Sequence, residues 1–410
     1  MRRRACIAVV LVTLVAGGCK SSDDANSVQS TGTGARTETL KLGAALSLTG
    51  ALAREGVLTR EGYDYCKAVV NEKGGVKVGD VTYQLDIAYQ DDTSKADVAG
   101  QLVSQFNDQG IKFVLGPYGS ASTEAAAAVI ERNGQVMLDS AGADDNIFAK
   151  GYKNTFAVLS PASLYVTSMV RAILELAKPT PKTLAIISAD DGFSKTAAEA
   201  GKAEAEKRGM QVVALEYVKN QTSDVSPALT KIRGLNPDVV LVSAHLVEGV
   251  AAIKQSKELG VTPQGFGETV APPTPDFVKT LGPDANGVLG SSQWTPDVAG
   301  KDKYFGTAQE YAAGFEKSFH KPEYHNAEAT AACLALVLGI EKAQSIEPAK
   351  VRDAVASLDT PSFFGPLKFD STGKNVTKEM VVIQIQNGEG VTVWPVSSTT
   401  KPLKWPATAR

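Results

Sequence analysis

Apolar and polar positions along this chain follow two periods, one typical of strands and one typical of helices. Short apolar runs such as 40–46 and 111–116 have the length of strands, whereas 94–110 repeats apolar residues every three or four positions and ends at glycine. Strands and helices alternate from about residue 40 to 140, and the alternation restarts after about residue 160. This pattern predicts an α/β fold made of two similar lobes with parallel sheets.

Small and polar residues follow several predicted strands, at the edge where ligands bind in open α/β sheets. The turns are "GPYGSAST" (116–123), "DSAGADDN" (139–146), "ADDGF" (189–193), "AHLVE" (244–248) and "GETVAPP" (267–273). We expect the residues that contact a ligand to lie in these turns.

Acidic pairs mark three of the predicted strand-to-helix turns: Asp91–Asp92, Asp144–Asp145 and Asp190–Asp191. Because an aspartate side chain accepts hydrogen bonds from the first N–H groups of a helix, we expect one member of each pair to be an N-cap. Ser94 and Asp97 also have the spacing of a capping box.

The start of the chain has the features of an export signal. Three arginines precede an apolar run that is too short to span a membrane, and the segment "VAGGC" ends at Cys19. This ending resembles the lipobox of bacterial lipoproteins, which implies a signal peptide over 1–18 and a lipid on Cys19; an ordinary cleavage site is the alternative. Residues 19–39 are polar, as in a flexible tether. We therefore expect an extracytoplasmic protein held at the membrane by a lipid anchor.

The composition is that of an ordinary globular chain, with 43% hydrophobic and 21% charged residues. The formal net charge is −3, and removing the three arginines of the signal leaves about −6. This acidic balance argues against a nucleic-acid partner, which favours a basic face. Cys66 and Cys333 remain after export, and the sequence leaves open whether they form a disulfide or stay as buried free thiols.

Sequence motifs of catalysis are absent. The chain has no GxSxG elbow, no HExxH pair, no P-loop and no GxGxxG after its first strand. His320 and His325 are five residues apart with a proline between them, so we interpret them as packing or solvated residues rather than metal ligands. We expect no enzyme, cofactor or metal site, and a hydrolase is the least favoured function.

Long stretches of the chain resemble the leucine/isoleucine/valine-binding proteins, which are the type I periplasmic binding proteins of branched-chain amino acid ABC importers. The likeness begins at "LKLGAALSLTGALAREG" and continues through "YQDDTSKADVAGQLVSQFNDQGIKFVLGPYGSAST", "VVLVSAHLVEGVAAIKQSKELG" and "FFGPLKFDSTG". It covers nearly the whole chain after the tether.

The resemblance implies two Rossmann-like lobes joined by three hinge crossings, near Leu159, Ser292 and Ser371. The implied lobes are 40–158 with 296–369, and 159–295 with 370–410. The resemblance also implies a monomer that closes around a small-molecule ligand, an amino acid or a similar compound, and delivers it to the permease and ATPase subunits of an ABC importer. A ligand-sensing receptor for amides, polyamines or aromatic acids is the alternative.

Several residues of the first lobe match family positions at the polar end of the ligand. Ser120 matches a serine that donates to the ligand's carboxylate, next to a helix N-terminus expected near Ala121; capping of that helix is the alternative role. Ala143 matches a backbone carbonyl that accepts from the ligand's ammonium. Asp144 replaces a threonine or serine and either binds a cationic group or caps the next helix. Tyr118 is expected to line the cleft.

Other positions depart from the family pattern. Phe193 and His245 replace tyrosines; His245 either donates to the carboxylate or is an exposed turn residue. Glu268 matches the glutamate that pairs with the ligand's ammonium, and such a charge-assisted bond is worth about 1.5–3 kcal/mol. Glu55 replaces an aromatic residue and is expected at the solvated rim of the cleft. These exchanges favour a ligand more polar or more basic than leucine.

Overall fold

The structure, a computed structural model, describes residues 36–407. The predicted signal peptide, the predicted lipid-bearing Cys19 and the tether up to residue 35 lie outside the described residues. The prediction that the tether extends to residue 39 is wrong, because residues 36–39 already belong to the first strand and pair with residues 81–84.

The first part of the chain builds most of lobe 1 from alternating strands and helices. Its elements are β1 (Arg36–Leu46), α1 (Ala53–Glu72), β2 (Val76–Val78), β3 (Val81–Asp91), α2 (Ala96–Asp108), β4 (Phe113–Leu115), α3 (Ser120–Asn133), β5 (Val136–Asp139), α4 (Asp145–Ala149) and β6 (Thr155–Ala157).

The middle of the chain builds lobe 2 in the same style. Its elements are α5 (Tyr165–Leu176), β7 (Thr183–Ala189), α6 (Gly192–Lys207), β8 (Gln211–Val218), α7 (Ser226–Leu235), β9 (Val239–Ser243), α8 (Leu246–Leu259), β10 (Gly265–Glu268), α9 (Pro275–Leu281) and β11 (Leu289–Ser292).

The chain then returns to lobe 1 before it ends in lobe 2. The returning elements are β12 (Lys301–Asp302), β13 (Gly306–Thr307), α10 (Ala308–Ser318), α11 (Tyr324–Ala343), α12 (Pro348–Ala356), β14 (Asp359–Ser362) and β15 (Gly365–Lys368). The last two strands, β16 (Val381–Gln386) and β17 (Glu389–Trp394), extend the sheet of lobe 2.

Each lobe contains one large sheet. The sheet of lobe 1 has the order β2-β3-β1-β4-β5-β6, and the sheet of lobe 2 has the order β17-β16-β11-β10-β9-β7-β8. The central strands are parallel, and β9 is buried along its whole length. Helices cover both faces of such a strand, which is why its sequence is a continuous apolar run rather than an alternating one. The predicted two-lobed α/β fold is confirmed.

The third passage between the lobes comes later than predicted. Residues 373–375 still run beside β6, because Ala157 bridges to Lys374 and its N–H donates to the carbonyl of Gly373. The Asp370 carboxylate turns the chain back by accepting from the N–H groups of Thr372 and Lys374. The prediction that lobe 2 resumes at residue 370 is therefore wrong by several residues.

Three residues, one from each passage, form a buried hydrogen-bonded group that we call the hinge cluster: Ser160, Gln293 and Lys378. The amide of Gln293 accepts from the Ser160 N–H at 2.9 Å and donates to the Ser160 carbonyl at 3.0 Å. The Ser160 hydroxyl donates to the Lys378 carbonyl at 2.9 Å, and the Lys378 ammonium donates to the Gln293 carbonyl. The three passages are thus joined to one another and not only to the lobes.

The predicted caps are confirmed at two of the three acidic pairs. Asp144 caps α4 and Asp191 caps α6 through their side chains. The prediction is wrong for the first pair and for the capping box, because α2 begins at Ala96 without a side-chain cap. The Ser94 hydroxyl instead donates to the carbonyl of Thr49, which ties the two neighbouring loops together.

A disulfide joins α1 to α11 inside lobe 1. It links Cys66 to Cys333, which are 267 residues apart in sequence, and both cysteines are fully buried. The alternative of two free thiols is thereby excluded.

Within residues 36–407 no single helix has the length and apolar composition needed to cross a membrane. Helices α11 and α12 meet this requirement of length and composition only as a pair, with a bend of 109° between them.

Candidate ligand-binding site

A glycine turn starts α3 at the edge of the first sheet. Gly119 has a φ of 87°, a left-handed conformation that glycine adopts without steric cost. Position 119 has room for a side chain, because a Cβ there would meet only Leu52, at 3.7 Å. Glycine is favoured there by the backbone conformation alone. Helix α3 begins at Ser120, one residue before its predicted start. Its first N–H groups have no carbonyl in a preceding turn to pair with.

The Ser120 hydroxyl points away from its own helix. It accepts from the N–H of Asp144 at 3.0 Å and makes no capping bond to α3, so the capping alternative is wrong. A hydroxyl that accepts one bond keeps its proton for another acceptor. Ser120 therefore offers a donor beside the unpaired N–H groups of the helix.

Two adjoining pockets lie between the lobes and share Tyr118, Gly119, Ser120 and His245. The inner pocket has a cavity volume of about 20 Å³ and the outer pocket one of about 200 Å³. The inner volume is room for about one water molecule, so the two lobes nearly touch there. Six of the eight predicted ligand-contacting residues line these pockets: Tyr118, Ser120, Ala143, Asp144, Phe193 and His245.

Lobe 2 contributes rings to the inner pocket. The ring of Phe193 meets that of Tyr165 edge to face at 5.0 Å and lies 5.5 Å from that of His245. The His245 side chain is only 12% exposed, so the alternative of an exposed turn residue is wrong. Its Nδ1 lies 3.4 Å from the hydroxyl oxygen of Tyr118, which brings a residue of each lobe together across the cleft.

Asp144 has the capping role, and it also spans the cleft. Its Oδ1 accepts from the N–H of Asn146 at 3.1 Å and from the hydroxyl of Thr196, on α6 of lobe 2, at 3.0 Å. The partly exposed side chains of Arg54 and Asp276 form a third link between the lobes as an ion pair. The structure therefore has the two lobes in contact.

The prediction that Glu55 lies at a solvated rim is wrong. Glu55 is 1% exposed and does not line either pocket. The first turn of α1 packs directly on the end of β1, where a Cβ on Gly56 would be 1.9 Å from the carbonyl oxygen of Ser47. Glu55 directly precedes this close contact in the chain and is buried.

Glu268 is likewise buried outside both pockets. Its carboxylate lies against α8, where a Cβ on Gly249 would be 2.3 Å from Oε2. Neither oxygen has a hydrogen-bond partner, and burial raises the pKa of Glu268 to about 8. The structure thus separates Glu268 from the other predicted site residues.

The N-terminal turns of α11 supply residues that sequence reasoning missed. Tyr324, His325 and Glu328 line the inner pocket from one face of the helix. His325 is 1% exposed and is held by Glu323, whose Oε2 lies 2.8 Å from Nδ1. The signal in the sequence was a single acidic residue within the apolar run "AEATAACLALVLG".

Buried acidic groups dominate the electrostatics of the inner pocket. Burial, with Glu323 and Asp139 nearby, raises the pKa of Glu328 well above its usual value, and Lys378 acts in the opposite direction. Burial and the charge of Glu55 also raise the pKa of Tyr118. Among residues 36–407 no group of three or more His, Cys, Asp or Glu side chains is arranged to hold a metal ion.

Comparison with known proteins assigns the fold to a family. Residues 39–389 match the family described as periplasmic binding protein. The Leu/Ile/Val-binding protein homolog 7 of Brucella suis is 23% identical over 421 aligned positions, which cover 98% of each chain. The leucine-, isoleucine-, valine-, threonine- and alanine-binding protein of Pseudomonas aeruginosa is 24% identical over 74% of this chain and 78% of its own.

Solved structures share the fold at lower identity. The substrate-binding protein LivJ of Streptococcus pneumoniae, in complex with isoleucine, is 19% identical with a TM-score of 0.75 and covers 86% of this chain and 98% of its own. A solute-binding protein of R. palustris, in complex with benzoate, is 17% identical with a TM-score of 0.74 and covers 90% and 97%. The chain therefore belongs to the periplasmic binding protein family, that of the leucine/isoleucine/valine-binding proteins its sequence resembles.

Proposed function

We propose that the chain captures an amino acid, of branched-chain type or a more polar relative, by closure of its two lobes, and that it delivers this ligand to the permease of an ABC importer as a monomer. One observation carries the proposal: Tyr118 and Ser120 of lobe 1 share a pocket with Phe193 and His245 of lobe 2. A ligand that contacts both pairs favours the closed arrangement of the lobes, because it binds that arrangement better than an open one.

The start of α3 is the proposed seat of the ligand's carboxylate. The Ser120 hydroxyl and the unpaired N–H groups of the first turn are donors, and the dipole of a 14-residue helix favours an anion at this end. The carbonyl of Ala143 lies in the same pocket lining and is the proposed acceptor for the ligand's ammonium.

A binding screen tests the proposal. Melting temperatures are measured with each of the twenty amino acids, with benzoate and with 1,4-diaminobutane, and the hits are titrated by calorimetry. A ligand at 100 times its Kd adds about 2.7 kcal/mol to the free energy of unfolding. We expect at least one amino acid to raise the melting temperature. If none does, or if benzoate alone does, the amino-acid proposal fails.

We also propose that a lipid on Cys19 holds the protein at the outer face of the cytoplasmic membrane. The support is the segment "VAGGC", together with membership of a family that acts outside the cytoplasm. Replacing Cys19 by serine should release the protein from membrane fractions into the soluble extracytoplasmic fraction. Retention of the variant in the membrane would refute the lipid anchor.

A further inference from the structure

The inner pocket contains a carboxylate that the rest of the protein leaves unpaired. Glu328 lines this pocket, is 1% exposed, and its Oε2 has no hydrogen-bond partner. Within residues 36–407 it takes part in no ion pair. Burying an acidic group without a partner lowers the free energy of unfolding. We therefore interpret Glu328 as a residue that serves function rather than stability.

Aromatic rings surround the same space. Tyr118 lies 5.4 Å from His325, measured between ring centroids, and Tyr324 stacks on His325 at 4.0 Å. Tyr165 and Phe193 face them from the lobe 2 side of the pocket. Rings arranged around a small pocket attract a cation through the negative potential of their faces.

The charged side chains that line the two pockets are mainly acidic. Their lining contains the carboxylates of Glu328, Glu124, Asp144 and Asp191 and contains no lysine or arginine. Lys378 is the cation whose charge acts on Glu328, but its ammonium is bound to the carbonyls of Gln293 and Glu379 in the hinge. Of these carboxylates, Glu124 pairs with Lys150 and Asp191 lies 3.9 Å from His245, whereas Glu328 has no ion-pair partner among residues 36–407.

We propose that Glu328 is the carboxylate that receives a cationic group of the ligand, so that the site takes small molecules carrying an ammonium or amidinium nitrogen. This inference rests on the proposed function, since it assigns the ligand class of the same pocket. The ligand's cation lies between the aromatic rings and donates to Glu328. Its carboxylate, where it has one, lies at the start of α3 beside Ser120.

This assignment replaces the one expected from the sequence. Glu268 was the candidate for the ammonium, but its carboxylate lies against α8 and does not line either pocket. Glu328 lies on α11 of lobe 1 and lines the inner pocket, whereas Glu268 is the last residue of β10 in lobe 2. Glu328 thus places a carboxylate of lobe 1 in the inner pocket.

The test uses probes that separate the cation from the carboxylate. The cationic probes are leucine, lysine, arginine, 3-methylbutylamine and 1,5-diaminopentane; the acids without an amine are 4-methylpentanoate and benzoate. Each is titrated by calorimetry into the mature protein and into its Glu328→Gln variant. We expect at least one cationic probe to bind and the variant to weaken it about 10- to 100-fold, while binding of the two acids is unchanged or stronger.

Two controls guard against a merely structural effect. Glu341→Gln changes a glutamate on the same helix that pairs with Lys303 outside the pockets, and it should leave all binding unchanged. Glu328→Asp keeps the charge and should bind cationic probes better than Glu328→Gln does; it also serves if the latter does not fold. A structural defect would weaken 4-methylpentanoate and the amines alike, which is the pattern the inference forbids.

The outcomes separate the inference from the proposed function. If leucine binds the protein and its Glu328→Gln variant with the same Kd, the inference fails and the proposed function stands. If amines bind through Glu328 but no amino acid does, the amino-acid proposal fails and the inference stands. Failure of every cationic probe to bind the unaltered protein overturns the inference.

Discussion

The two lobes share a plan of parallel strands and covering helices, but they present unlike surfaces to the cleft. Lobe 1 presents a helix start, the Ser120 hydroxyl and the Glu328 carboxylate, whereas lobe 2 presents the rings of Phe193 and His245. The proposed seats for the ligand's carboxylate and for its cationic group are therefore both on lobe 1. We expect lobe 1 to bind the ligand first and lobe 2 to close over it and exclude water.

The lobes also differ in how their interiors are stabilised. Lobe 1 is crossed by a disulfide between α1 and α11, the helix that carries Glu328. Lobe 2 instead buries Glu268 with neither oxygen paired. The helix that carries Glu328 is thus cross-linked to α1, while lobe 2 contains a carboxylate with both oxygens unpaired. Four predictions test this contrast, in order of expected size.

Removing the disulfide should have the largest effect. The double variant Cys66→Ala/Cys333→Ala should lose about 2–5 kcal/mol of free energy of unfolding, because the bond restricts the unfolded chain over a long loop. Chemical denaturation measures the loss, and hydrogen exchange locates it. Exchange should accelerate in α1 and α11 more than in β7 and β9 of lobe 2. Equal acceleration in both lobes would contradict the contrast.

Replacing the unpaired carboxylate of lobe 2 should have the next largest effect. Burial raises the pKa of Glu268 to about 8, whereas a glutamate in the unfolded chain has a pKa of about 4.3. Between these values the folded protein keeps a proton that the unfolded chain has released. Glu268 therefore makes the free energy of unfolding fall as pH rises from about 4.5 to about 8, with no further change above that range.

The Glu268→Gln variant should remove this dependence. It should match the unaltered protein near pH 5 and exceed its free energy of unfolding at pH 8.5, by an amount of up to about 4 kcal/mol. Urea denaturation at both pH values measures the difference. Glu258→Gln, at an exposed position of α8 in the same lobe, is the matched control and should show none. If the free energy of unfolding of the variant differs from that of the unaltered protein by the same amount at both pH values, Glu268 is ionised in the folded protein.

Removing the hydroxyl of Ser120 should weaken binding of carboxylates by about 10-fold, or about 1.4 kcal/mol, since one donor to an anion is lost. Calorimetry with leucine and 4-methylpentanoate should show this for Ser120→Ala, while 3-methylbutylamine is unaffected. This is the reverse of the pattern expected for Glu328→Gln. Ser318→Ala, at the exposed end of α10, is the control. An equal loss for all three compounds would contradict the separate seats.

The smallest effect is expected at the contact between the lobes. Thr196→Val removes the hydroxyl that donates to Asp144, a bond made only when the lobes meet. We expect ligand binding to weaken by about 0.5–1.5 kcal/mol, the usual net value of one hydrogen bond, mainly through faster dissociation. Thr230→Val, which removes a hydroxyl within α7, should leave the dissociation rate unchanged. A rate of ligand dissociation lower in Thr196→Val than in the unaltered protein would contradict the prediction.

The sequence predicted the order of strands and helices well because each element carries its own signal. Runs such as β9 are apolar throughout, and α3 follows a strand and a glycine turn. The turn at Gly119 and Ser120 was located from these local features. The failure at Ser94 has a local cause too, since its hydroxyl bonds to the neighbouring loop at Thr49 instead of to α2.

The site was predicted less completely because it depends on where distant segments meet. Tyr324, His325 and Glu328 are about 200 residues from Ser120 in sequence, and only the return of the chain to lobe 1 brings α11 to the cleft. Glu55 is buried where α1 closely approaches the end of β1, and the pattern of apolar residues in the sequence does not predict this contact. A lone acidic residue in an apolar helix was the one available signal.

The hinge cluster limits how the lobes can move. Because one amide, that of Gln293, holds both backbone groups of Ser160, and because Lys378 bonds to both of these passages, a change of backbone angle in one passage pulls on the other two. The three connections are thereby coupled through side-chain hydrogen bonds as well as through the lobes. We therefore expect opening, which separates Ser120 from His245, to require a change of backbone angles in all three passages together.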